Sequence, residues 1–156
     1  MDFSKLFPEN ANNNYGGHKI ALWGFILFTC VMTWRSIVHM FFEQYGFHEI
    51  ANFGLISGDP DPMPLIYRFF SLWGFAQLIF CTVCWVAIFR YRALIPLMYL
   101  LWLFEWGFRT FGYPLLREEI AVQGLYTNGM TPGTVGAPFI TILLLILFSL
   151  SLLKRN

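Results

Sequence analysis

Apolar positions in this chain come in four long runs, not in the alternation of a sheet or the one-sided stripes of a soluble helix. They lie at about Ile20 to Phe42, Ile66 to Phe89, Leu94 to Tyr113 and Ala137 to Leu153. Each is within or near the roughly 17 to 25 residues a helix needs to cross the hydrocarbon of a bilayer. Proline and glycine mark the edges. Pro64 suits the first turn of the second helix, Pro96 the first turn of the third, and Pro114 its end. The spacing therefore predicts an all-α, polytopic membrane protein: one four-helix transmembrane domain over residues 1–156, with spans near 20–42, 66–89, 94–113 and 137–153.

Polar stretches separate the runs. Residues 1–19 hold Asn10, Asn12, Asn13 and Asn14 and no apolar core, so they do not read as a secretory signal, and the first span is expected to act as its own insertion signal. The loop after the first span is punctuated by Gly46, Gly54, Gly58, Pro60 and Pro62; it reads as irregular with one short helical turn, and its Asp59-Pro60-Asp61-Pro62 run as a rigid turn. The link Arg90-Tyr91-Arg92 is too short for anything but an antiparallel hairpin of the second and third helices. Lys5, Lys19, Arg90, Arg92, Lys154 and Arg155 all fall on one side of a four-span arrangement, against Arg117 alone on the other. By the positive-inside rule both termini are expected in the cytoplasm.

Composition sharpens this picture. Of 156 residues, 57% are hydrophobic and 12% charged, which leaves little chain for a soluble domain. A net charge of +1 offers no basic block to collect phosphates, so nucleic acid is not an expected partner. Cys81 and Cys84 form a CxxC inside an apolar helix, where packing explains them better than redox chemistry. Counting helical rise from each helix end puts Cys30 and Cys81 at similar depths, which leaves a disulfide between Cys30 and Cys81 or Cys84 open.

Candidate chemistry lies in ionisable residues at membrane depth, which cost several kcal/mol unless paired or turned into a bundle. Glu105 and Arg109 are spaced i, i+4, so their side chains can meet, and Trp102 and Trp106 share that face. Arg35 and His39 form a similar stripe on the first helix. At about 1.5 Å per residue, Arg35 lies about 24 Å from Lys19, and Glu105 and Arg109 about 20 and 25 Å from Arg92; Tyr67 and Arg68 fall at the same outer boundary. The expected ligand-binding set is therefore Arg35, His39, Tyr67, Arg68, Trp102, Glu105, Trp106 and Arg109, in a pocket opening outward. No catalytic residue or metal site is expected.

Three uses of such a cluster remain open. It can hold helices in register as a buried ion network; it can receive a membrane lipid or a quinone, since arginine forks suit phosphate and also donate to carbonyl oxygens; or the protein is an accessory subunit. In the last case the fourth helix, without an ionisable residue until Lys154, is expected at the periphery as a docking face for a protein partner or a second copy.

Four spans in about 150 residues, an arginine in the first helix, RFFSLWGFAQ opening the second and an E-x-x-x-R pair in the third resemble the DoxX-like group of small bacterial inner-membrane proteins. That resemblance implies an inner-membrane location and a quinone-linked redox role. It carries no catalytic residue onto this chain.

Overall fold

The computed structural model describes residues 2–116 and 125–153, which are helical apart from loops and one isolated antiparallel bridge between Phe53 and Thr127. Four long helices form the body: α1, Lys19–Phe41; α2, Met63–Arg90; α3, Ile95–Gly107; and α4, Pro132–Leu152. Of these, α1, α2 and α4 are each long and apolar enough to cross a membrane.

The third predicted span is built differently. Its α-helix has 13 residues, too few at 1.5 Å each to cross about 30 Å alone. It continues as a wide π-type turn, Phe108–Gly112, and a last turn, Tyr113–Leu116. The widening has a local cause. Pro114 lacks the N–H that would bond the Thr110 carbonyl, and its ring crowds that carbonyl; the Tyr113 N–H reaches back five residues to Phe108 instead.

Two backbone pairings organise the bundle: α1 against α2, and α3 against α4. At the first crossing Gly74 is essential to the fit, because a Cβ there would lie 2.7 Å from the Met40 nitrogen and 2.8 Å from His39 Cβ. Polar side chains stitch the same seam. Trp85 Nε1 donates to Thr33 Oγ1 at 3.0 Å, and Ser71 Oγ to the Met40 carbonyl at 2.8 Å. Such bonds average about 0.6 kcal/mol between membrane helices, so close packing carries most of the association. Between the pairs, Phe25 meets Tyr99, whose hydroxyl donates to the Ala21 carbonyl at 2.7 Å, while Phe28 and Phe80 enclose Trp102.

The last helix packs one face into the bundle and leaves the other at its surface. Ala137, Leu144, Leu147, Ser151 and Leu152 are buried, and Thr141 meets Thr110 at 2.9 Å. Its remaining face, with Phe139, Ile142, Leu145 and Ile146, is exposed. Helix α3 likewise packs more closely on α4 than on α2, its partner across the short link, because the π-turn carries its end toward α4.

The amino-terminal segment and the end of α4 lie at the same end of the bundle. Asp2 N bonds the Leu152 carbonyl at 3.1 Å, Lys5 Nζ bonds the carbonyls of Gly16 and Leu153, and Ala93 N bonds the Asn12 carbonyl. Lys154, Arg155, Arg117 and the acids after it lie outside the described residues. At the far end the two loops meet: Gly54 N donates to Tyr126 O, and Asn128 N to Asn52 O. The three cysteines are free; Cys30 faces out of the bundle while Cys81 and Cys84 are buried, so the disulfide left open by depth is excluded by facing.

Candidate functional site

Trp73 is the residue around which the charged groups gather. It sits midway along α2, one position before the close crossing at Gly74, so its ring reaches both neighbours. The guanidinium of Arg35, from α1, lies 4.7 Å from the ring centre, and that of Arg109, beyond α3, lies 4.9 Å from it. Arg109 also stands 5.4 Å from the Trp106 ring. Cation–π contacts contribute about 0.5 to 2 kcal/mol each, more as water is excluded.

The hydrogen bonds around this ring are unevenly shared. Arg35 Nη1 donates to Gln77 Oε1 at 2.9 Å, and Ser36 Oγ lies 3.2 Å from the same oxygen. Trp73 and Gln77 are one helical turn apart, so the ring and the amide take the guanidinium together. Arg109 donates through Nε, at 2.6 Å, and through Nη2, both to Oε1 of Glu105. The other carboxylate oxygen, Oε2, is buried without a hydrogen-bond partner, as is Trp106 Nε1. A guanidinium has five N–H donors, so both arginines keep several unused.

His39 completes the group from α1. It is 1% exposed, its ring packs 4.6 Å from Phe70 and 5.0 Å from Trp73, and its Nδ1 has no partner. From Phe70 the ring contacts continue to Phe47 at 5.4 Å and from there to Phe53, stacked at 4.7 Å. An unbroken series of aromatic rings thus joins Trp73 to the far-end loop.

Five of the eight predicted residues, Arg35, His39, Glu105, Trp106 and Arg109, meet around Trp73. The other three do not. Trp102 is a core residue, 0% exposed between Phe28 and Phe80. The Tyr67 hydroxyl is engaged by His48 Nε2 at 2.5 Å, while His48 Nδ1 meets the Phe53 carbonyl at 2.8 Å. Arg68 is exposed and lines a separate groove with Glu43 and Asp61. Its displacement is geometric, since five residues turn a helix by about 140°, which takes Arg68 off the face that carries Trp73. The cluster is partly open to the surface: the side chains of Arg109 and Glu105 are 24% and 31% exposed. Trp73 and Gln77 complete the site from positions the charge pattern did not mark.

The architecture is that of an all-helical protein with three helices long and apolar enough for a membrane. Compared with protein families, curated proteins and solved structures, the chain matches none.

Proposed function

We propose that the protein is a four-span bacterial inner-membrane protein, with cytoplasmic termini, that binds the oxygen-bearing head of a membrane amphiphile between Arg35 and Arg109. The observation that carries this reading is that two guanidinium groups share one tryptophan ring with a single carboxylate. Such a group keeps a formal positive charge in a layer where unpaired charge is costly, so it calls for an acceptor. A lipid phosphate or a quinone carbonyl supplies one. The unmet Glu105 Oε2 favours a head that also donates, such as a quinol hydroxyl or a hydroxyl-bearing lipid. Quinone binding would also agree with the DoxX-like resemblance.

The test is the content of co-purified quinone and phospholipid per protein, by extraction and mass spectrometry, for the wild type, Arg35→Gln and Arg109→Gln. Either substitution is expected to deplete one ligand class at least severalfold. Unchanged content of both classes in folded variants would leave the cluster as an ion network that only fixes helix register.

A further inference from the structure

The groove at the far end carries charges that no other part of the fold uses. It has a volume of about 630 Å³ and runs between the turn Glu43–Tyr45 and the start of α2. Leu55, Met63, Pro64 and Leu72 supply its apolar surface, and Arg68, Glu43 and Asp61 line it. Among the described residues the side chains of Arg68 and Glu43 make no hydrogen bond or ion pair, and that of Asp61 uses one oxygen, accepting from Met63 N at 2.9 Å. Opposite charges thus line one groove without neutralising each other.

The walls are held independently of these charges. His48 ties the turn region to Tyr67 on α2, Ser71 Oγ ties α2 to the Met40 carbonyl, and Ile56 N rests on the Met63 sulfur at 3.4 Å. Fixed walls keep a guanidinium and two carboxylates available on an apolar surface, beside exposed Leu65 and Phe69.

From this we infer a second binding site, for a zwitterionic phospholipid whose phosphate meets Arg68 and whose ammonium meets Glu43 and Asp61, with its acyl chains running along α2. A guanidinium fork suits phosphate, and a primary ammonium offers three donors to the carboxylates. The site rests on the membrane reading of the fold but not on the Arg35–Arg109 site.

The experiment is native mass spectrometry of the full chain in mild detergent with dihexanoyl lipids bearing ethanolamine, choline or glycerol heads. Wild type is expected to retain the ethanolamine lipid about tenfold better than the other two, the difference one charge-assisted contact makes. Arg68→Gln should weaken all three. Glu43→Gln with Asp61→Asn should remove the preference while leaving the choline lipid bound as before, and Arg90→Gln, exposed at the opposite end of α2, should leave that preference intact. Equal retention of the three lipids by wild type overturns the proposal. So does unaltered binding by Arg68→Gln, or equally strong competition from glycerophosphoethanolamine, which lacks acyl chains. Thermal unfolding of each variant, expected to match wild type because these side chains lie outside the core, verifies that a loss is local.

Discussion

Replacing Gly74 by alanine tests the crossing that places Trp73. In a helix the change alone stabilises by up to about 1 kcal/mol, because alanine loses less backbone freedom on folding than glycine. Here the added methyl would sit 2.7 Å from Met40 N, 2.8 Å from His39 Cβ and 2.9 Å from the His39 carbonyl carbon, against an ordinary contact of 3.4 Å or more. The shortfall is roughly 0.5 to 0.7 Å on three atoms, two of them main chain, so no side-chain rotation relieves it and α1 must retreat as a body. Overpacking of this kind costs about 1 to 3 kcal/mol, and the upper part of that range applies because the obstacle is backbone. After the propensity gain, a net loss of about 2 kcal/mol is expected. The assay is equilibrium unfolding in mixed micelles, with Gly136→Ala as control, since a methyl at Gly136 meets nothing within 4 Å. An alanine at position 74 that matches or exceeds wild-type stability would refute the close crossing, and with it the placement of His39 and Arg35 around Trp73.

Other outcomes follow from single contacts. Gln77→Leu removes the acceptor of Arg35 and of Ser36, and is expected to lower stability by about 1 to 3 kcal/mol in the same unfolding assay, whereas Gln77→Glu should preserve stability but deplete bound amphiphile because it cancels the positive charge. Tyr99→Phe deletes a buried hydrogen bond to the Ala21 carbonyl, with an expected loss of about 0.5 to 1.5 kcal/mol; a neutral result would argue against the α1–α3 contact. Intact mass after alkylation in denaturant without reductant should show three modified thiols in the monomer, and a species with one modified thiol would contradict the facing of Cys30.

How much of this was legible depends on which geometric quantity is asked for. Depth was legible, because helical rise per residue is nearly invariant, and counts from Lys19 and Arg92 put Arg35, Glu105 and Arg109 in one layer. Facing was legible only where two polar residues sat one turn apart, as for Glu105 with Arg109. Trp73 gave no such sign on its own, since a ring in an apolar run looks the same whether it meets lipid or a guanidinium. The available signal was its pairing with Gln77 beside the small Gly74. Helix α4 was harder still. Lipid and protein interior are equally apolar, so the face it buries against α3 has the same composition as the face it leaves open. In the third apolar run, Pro114 read as a stop, but its effect reaches back to Phe108 and loosens the helix before ending it.

The row of stacked and edge-on rings from Phe53 through Phe47 and Phe70 to Trp73 forms one continuous strut of planar groups. Rigid planar groups in van der Waals contact pack densely and leave little room for water between them. The far-end loop and the ring on which both guanidinium groups rest are thus joined by aromatic contact alone, with no polar side chain along the row.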